Sequence, residues 1–123
     1  IEIDAGTGTI VRTGDPEGGA DILLGDRALV LPGLIDLHVH AREDASGKNS
    51  YKEDFASAGA AALHGGVTAI ADMPNNPVPP IDDASYRAKE ALARRCPVDV
   101  LLLAGIGPAP DVQRLVSLKD LFD

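Results

Sequence analysis

Four polar residues stand at alternating positions in one short segment: Asp36, His38, His40 and Arg42. Because side chains on a β-strand alternate between its two faces, these four would point to the same side. Two imidazoles spaced two residues apart on a strand can bind one metal ion through their ring nitrogens. Arg42, just past the strand end, has the planar set of donors that suits a carboxylate. The spacing therefore predicts a metal site beside an anion-binding arginine.

A competing interpretation is that both histidines are core residues with satisfied ring nitrogens. Burying Asp, two His and Arg on one face is costly, however, unless a metal ion or polar partners compensate. The apolar flanks of the segment and its entry through Pro32-Gly33 predict a central strand rather than a solvated edge. On that prediction Leu37, Val39 and Ala41 would face covering helices. The metal site is the stronger interpretation, with Asp36 in a supporting or structural role.

The elements that must position these residues repeat as a strand followed by a helix. Strands are predicted at residues 34–40, 67–71 and 98–106, and helices at 50–64, from Asp82 or Asp83 to about Cys96, and from Asp111 onward. The proline-rich residues 73–80 can continue neither a strand nor a helix and predict a loop. Strands that alternate with helices of this length are typical of βαβ units and a parallel sheet.

The predicted fold class is therefore α/β. A (β/α)8 barrel needs about 250 residues, and the chain has 123. Residues 32–123 would be either a small open sheet or the first three βα units of such a barrel. Residues 1–31, rich in Gly and Asp, predict a separate small β-rich region with strands at 9–11 and 21–24.

Composition excludes several classes of protein. The net charge of −8 argues against a nucleic-acid partner, since phosphate binding needs clustered Lys and Arg. No apolar run approaches the roughly 20 residues that span a bilayer, and no signal peptide is evident. The single Cys96 cannot form an internal disulfide, which favours a cytoplasmic location.

Several segments resemble one known family. Residues 32–40, PGLIDLHVH, are similar to the opening signature of the amidohydrolase superfamily. Residues 38–43, HVHARE, resemble the His-x-His-x-Arg-Glu segment of dihydroorotases, and residues 72–75, DMPN, resemble their Met-Pro-Asn loop. Residues 51–55 and 60–68 are similar to the family's first barrel helix and second strand. This resemblance selects the barrel over the open sheet.

The resemblance implies roles for four residues. His38 and His40 would bind the more buried of two zinc ions, and Arg42 and Asn75 would bind the substrate carboxylate. The family's other ligands and its catalytic carboxylate come later in its chain, so no catalytic residue is expected among these 123. We therefore expect an N-terminal fragment that is inactive alone. Residues 44–47 replace the family's usual Pro-Gly in the loop beside the site.

The implied function is zinc-dependent hydrolysis of a cyclic amide, the interconversion of dihydroorotate and carbamoyl aspartate in pyrimidine biosynthesis. Hydantoinases usually lack an arginine at the place of Arg42, and allantoinases usually carry another residue at that of Asn75. The alternatives are an allantoinase-like or hydantoinase-like cyclic amidase, or a catalytically inactive dihydroorotase-like subunit. The expected partners are a small-molecule substrate and either identical subunits or a chain that completes the barrel.

Overall fold

The computed structural model describes residues 1–14 and 18–106. The chain divides after Leu31 into two compact units. The first unit contains an antiparallel hairpin of β1 (Glu2–Asp4) and β2 (Thr9–Arg12). Its turn forms because the Asp4 carboxylate accepts hydrogen bonds from the backbone N–H of Gly6 at 2.7 Å and of Thr7 at 3.1 Å.

The hairpin corrects one expectation for this unit. The strand predicted near residues 9–11 is present and pairs with Glu2–Asp4, but the strand predicted at residues 21–24 is not observed. Residues 21–24 form no strand, and Ile22 and Leu23 are exposed. Apolar and β-branched residues form a strand only where a neighbouring strand or a packed face receives them. In the described part of the chain residues 21–24 have neither.

The second unit consists of a parallel sheet and two helices. In chain order these are β3 (Leu34–Val39), α1 (Phe55–His64), β4 (Val67–Asp72), α2 (Asp83–Ala93) and β5 (Asp99–Leu102). The strands lie in the order β3-β4-β5, and both pairings are parallel. The predicted α/β class and the βαβ units are thus observed. The helix predicted from Asp111 lies outside the described residues.

The position of β3 contradicts the central strand predicted for the two histidines. Within the described residues, β4 is the central strand and β3 is at an edge. Leu37, expected to face helices, is 69% exposed, whereas Val39 is half-buried and Ala41 is buried. The apolar side chains of this strand predict burial, but the described residues bury the strand only near its carboxyl end, from Val39 onward.

Both helices begin at an aspartate that accepts a hydrogen bond from the third residue of the helix. Asp54 accepts from Ser57 N–H at 2.7 Å, and the Ser57 hydroxyl accepts from Asp54 N–H at 3.2 Å. Asp82 and Ser85 repeat this capping box at the start of α2. Capping boxes satisfy backbone N–H groups that a helix cannot pair internally. Asp82 is the predicted cap, but α1 begins five residues later than predicted, and α2 ends at Ala93 before Cys96.

The core between sheet and helices is small. Ala41, Phe55 and Ala93 form a buried cluster, with Leu92 and Cys96 among the half-buried residues packed against it. In α1, Gly59 is buried where an added Cβ would overlap the side chains of Cys96 and Pro97, so only glycine allows this close approach.

The apolar residues of α2 at helical spacing predict a buried side made of Ala84, Ala88, Ala91, Leu92 and Cys96, and this prediction is partly wrong because Ala84 and Ala91 are exposed. The buried residues of α2 are Lys89 and Ala93. The packed side of the helix therefore differs from its apolar pattern and includes a lysine that meets a buried carboxylate. No helix in the described ranges is long and apolar enough to cross a membrane.

Candidate functional site

The predicted site residues lie where β3 and β4 end. Because the two strands are parallel, the loops that follow them leave the same edge of the sheet. The loops are joined by backbone contacts. Met73 N–H donates to the Val39 carbonyl at 2.8 Å, and Ala41 N–H donates to Asp72 Oδ1 at 2.8 Å. The carboxyl edge of a parallel sheet is the usual place for a ligand site in α/β proteins.

The two histidines lie side by side at this edge. Their ring centroids are 5.2 Å apart, and the rings meet edge to face. His38 is exposed and His40 is half-buried. Asp36, on the same side, accepts a hydrogen bond from the His38 N–H at 3.0 Å and so has a local structural contact. Among residues 1–14 and 18–106, no group of three or more His, Cys, Asp or Glu could hold a metal ion.

His40 is fixed by Asn75 of the second loop. Its Nδ1 lies 2.8 Å from Asn75 Oδ1. A carbonyl oxygen can only accept, so Nδ1 carries the proton and the lone pair of a neutral ring is on Nε2. Metal-binding histidines commonly donate their other ring N–H to an oxygen in this way. The donor chemistry of the pair therefore fits a metal ion, with His40 Nε2 and the His38 ring supplying two ligands.

Arg42 stands at the centre of a tight turn with a strained backbone. Its φ is 63°, the only positive φ at a non-glycine residue in the described ranges. Glu43 N–H donates to the Ala41 carbonyl at 2.8 Å, which closes a three-residue γ-turn around Arg42. Within the described part of the chain, the guanidinium forms no hydrogen bond or ion pair. The described residues therefore use none of its donors.

Two acidic residues after Arg42 are buried in contacts that the sequence did not predict. Glu43 accepts a hydrogen bond from Phe55 N–H at 3.0 Å and forms an ion pair with Arg95. Asp44 accepts from Ser46 N–H at 2.8 Å and from Val78 N–H, in the second loop, at 3.0 Å. Burial alone would raise the pKa of Asp44. Hydrogen bonds from the Ser46 hydroxyl and from the backbone N–H groups of Val78 and Ser46 outweigh burial and lower the pKa below its usual value. Asp44, where this chain departs from the family's usual Pro-Gly, thus connects the two loops.

A third buried carboxylate, Asp72, forms an ion pair with Lys89. Asp72 Oδ2 lies 2.5 Å from Lys89 Nζ, and the two side chains are 0% and 2% exposed. The ammonium also contacts the Met73 carbonyl at 3.4 Å and the Asn76 side-chain oxygen. Sequence reasoning missed Lys89. No sequence signal pointed to it, because a lysine on a helix ordinarily indicates a solvated face.

The structure thus brings together three of the four predicted site residues through direct contacts: His38 with His40, and His40 with Asn75. Arg42 follows at the same strand end without a direct bond to them. Their roles as metal ligands and substrate-binding residues stay predictions.

Comparison with known proteins places the chain in a family. The model of the amidohydrolase family matches residues 29–113. The dihydroorotase of Pyrococcus furiosus is 37% identical over 95 residues, 77% of this chain and 22% of that protein. The dihydroorotase of Aeropyrum pernix is 45% identical over 98 residues, 78% of this chain and 22% of that protein. A mitochondrial allantoinase of Aquarana catesbeiana is 36% identical over 103 residues, 82% of this chain and 21% of that protein.

The chain spans about a fifth of the length of these curated relatives. The family match nevertheless covers most of the chain and includes both histidines, Arg42 and Asn75. Together with the parallel sheet and the polar site at its carboxyl edge, this match shows that the chain belongs to the amidohydrolase family.

Proposed function

We propose that this chain is part of a zinc-dependent cyclic amidohydrolase that interconverts dihydroorotate and carbamoyl aspartate in pyrimidine biosynthesis. The observation that carries the proposal is the bond between His40 and Asn75, which unites a candidate metal ligand and a candidate substrate-binding residue from two loops. The similarity to archaeal dihydroorotases supports the choice of reaction.

His38 and His40 would hold one of two zinc ions in the complete enzyme. Bound zinc supplies an acidified water molecule and polarises a carbonyl oxygen. This chain would supply two histidine ligands of the zinc ion and hold them in the orientation needed for binding. Asn75 fixes the tautomer and the orientation of the His40 ring, as outer partners of metal ligands generally do.

Arg42 and Asn75 would bind the carboxylate of the substrate. The guanidinium of Arg42 is free of ion pairs in the described part of the chain, and its planar donors suit a carboxylate. Asn75 uses its oxygen for His40 and keeps its amide N–H groups for a second contact. Dihydroorotate and carbamoyl aspartate both carry such a carboxylate, so this pair would hold either compound with its amide near the metal ligands.

Residues 32–123 would be a partial barrel, and residues 1–31 a separate small β-rich region. We propose that the 123 residues alone are inactive. Two histidines do not complete a zinc site, and the buried carboxylates Asp72, Glu43 and Asp44 already bind partners. The remaining ligands and a proton-transferring carboxylate would come from another segment or chain. Cys96 is a free thiol, which agrees with a reducing cytoplasm as the location.

A second candidate is an allantoinase-like cyclic amidase. The identity of 36% to an allantoinase over 82% of this chain favours it specifically. Arg42 together with Asn75 favours dihydroorotate instead. A catalytically inactive subunit is a further alternative, although the two histidines, arranged to bind a metal ion, make it the weaker one.

The first measurement is the intact mass of the purified protein under native and denaturing conditions. A denatured mass well above 12.7 kDa identifies a larger polypeptide, and a native mass alone above it identifies a complementing chain or an oligomer. The zinc-supplemented protein is then assayed with dihydroorotate, carbamoyl aspartate, allantoin and hydantoin.

We expect turnover of the first pair of compounds by the larger species and none by an isolated 12.7 kDa chain. His40→Asn should lower activity by at least about 100-fold, because even the outer partners of metal ligands are worth 10–100-fold. His64→Asn, an exposed histidine at the end of α1, is the matched control and should keep full activity. Turnover of allantoin without dihydroorotate would select the second candidate.

A further inference from the structure

The least exposed charged pair in the described part of the chain lies beneath the proposed site. Lys89 is 2% exposed and Asp72 is 0% exposed, with 2.5 Å between Nζ and Oδ2. Asp72 Oδ2 accepts no hydrogen bond from the described residues, so the ammonium charge is its compensation. Two charges removed from water cost free energy that their attraction alone often fails to recover.

This pair contacts both loops of the site. Asp72 Oδ1 accepts the N–H of Ala41, the residue between His40 and Arg42. Lys89 contacts the Met73 carbonyl and the Asn76 side chain, one on each side of the segment that carries Asn75. The pair therefore bonds to the backbone between His40 and Arg42. It also contacts residues on both sides of Asn75, one through its carbonyl and the other through its side chain.

The turn at Arg42 needs such support. A non-glycine residue at φ 63° is strained and persists only where its surroundings determine the conformation. On the N-terminal side Asp72 holds Ala41 N–H, and on the C-terminal side Glu43 is held by Phe55 N–H. If Asp72 turned away, the Ala41 N–H would be buried without a partner, and the turn would lose one of its two anchors.

We propose that Lys89 and Asp72 are positioning residues that set the separation between the two loops, and with it the geometry of the carboxylate-binding and zinc-binding groups. This inference rests on the proposed function for the identity of substrate and metal. Apolar side chains of similar volume would fill this space with equal or better stability. The contacts that the charged pair makes to both loops give a reason for a charged rather than an apolar pair at this position.

The test uses the full protein and three variants. Lys89→Met keeps the length of the side chain but leaves Asp72 as an uncompensated buried charge. Lys89→Met combined with Asp72→Asn removes both charges and keeps an oxygen for Ala41 N–H, so it covers the case in which the single variant does not fold. Arg87→Met is the matched control, since it removes an exposed ion pair with Glu90 at 3.7 Å from the same helix.

We expect the double variant to raise the KM for carbamoyl aspartate by about 10- to 100-fold and to weaken zinc binding, measured by chelator competition, by a similar factor. The kcat should fall less, because misplaced carboxylate-binding groups weaken binding of the ground state and transition state together. The control should change neither quantity. A purely structural pair would lower the melting temperature and leave KM and zinc affinity unchanged.

The outcomes separate this inference from the proposed function. A folded double variant with KM and zinc affinity within about twofold of the wild type overturns the positioning role. A wild-type protein that binds zinc but turns over neither compound contradicts the proposed function, and the zinc comparison then decides the positioning role. A wild-type protein that takes up no zinc overturns both.

Discussion

Strand β3 is more exposed to solvent than the loop that follows it, which reverses the usual relation between strands and loops. Loops commonly lie on the surface of a protein, while strands supply its core. Here Leu34, Ile35 and Leu37 of the strand are all more than half exposed, whereas Ala41, Glu43 and Asp44 of the loop are buried. This buried loop also contains Arg42, one of the four candidate site residues.

The difference shows that the two regions obtain their contacts from different sources. The loop is satisfied within this chain by Asp72, by Phe55 N–H and by Val78 N–H. The apolar side chains of the strand have no comparable cover in the described residues. We conclude that polar contacts hold the loop after β3 in place and that these contacts do not depend on any packing against the exposed side chains of β3.

The largest effect is expected from loss of an anchor of the loop. Glu43→Ala removes the acceptor of Phe55 N–H, a buried group at the start of α1, and should lower the free energy of unfolding by about 1–3 kcal/mol. The ion pair with the half-exposed Arg95 contributes little to this value. Urea unfolding followed by circular dichroism measures the loss. Glu43→Gln keeps an acceptor oxygen and should cost less, and equal costs for the two variants would argue against the anchor.

A smaller decrease in the free energy of unfolding is expected where the second loop meets α2. Asp82→Ala removes the cap of α2 and leaves Ser85 N–H without its 2.8 Å acceptor. Such substitutions cost about 1 kcal/mol. Asp83→Ala, one residue later and exposed, is the matched control and should cost a few tenths of a kcal/mol through the helix dipole alone. The same unfolding experiment compares them, and an inverted order would contradict the assigned cap.

The free energy of unfolding should depend on pH through Asp44, whose hydrogen bonds connect the two loops. The pKa of Asp44 is lower in the folded than in the unfolded state, so its contribution to stability is complete above pH 3.8 and is lost as pH falls through the folded pKa. Asp44→Asn should therefore be less stable than the wild type at pH 7. The difference in urea midpoints should shrink as pH falls below about 4. A difference that stays constant from pH 7 to pH 3 would contradict this assignment.

The smallest effect is expected on the strand. Leu37→Thr keeps a strand-forming residue at a position that is 69% exposed, so the free energy of unfolding of the 123-residue chain should change by less than about 0.5 kcal/mol. In a longer protein that covers β3, the same substitution should cost more. Unfolding of both species tests this contrast. A large cost in the short chain would mean that Leu37 is already packed.

Local patterns predicted the elements of the second unit well. Apolar runs located the three parallel strands, although the strand predicted at 98–106 is limited to Asp99–Leu102. An aspartate before a helical pattern located the start of α2. The start of α1 was placed too early, because it depends on the reciprocal bonds of Asp54 and Ser57 rather than on helix-forming composition. The edge position of β3 could not be predicted, since an apolar strand indicates a surface to be covered but not which residues cover it.

For the site, alternation along a strand predicted that both histidine rings share a face, and they lie 5.2 Å apart. Their chemical role stays a prediction. The pairing of Lys89 with Asp72 was not predictable, because a lysine on a helix ordinarily indicates a solvated face. Only the packing of α2 against the end of β4 brings the two charges together.

The backbone at Arg42 separates what folding favours from what the site requires. Glycine adopts φ near 63° without the steric cost that arginine bears. A library randomised at position 42 and selected only for thermal resistance should therefore enrich glycine at the expense of arginine. If Arg42 binds substrate as proposed, the same library in the full protein, selected for dihydroorotase activity, should return arginine. Position 42 would then be a place where selection for stability and selection for activity favour different residues.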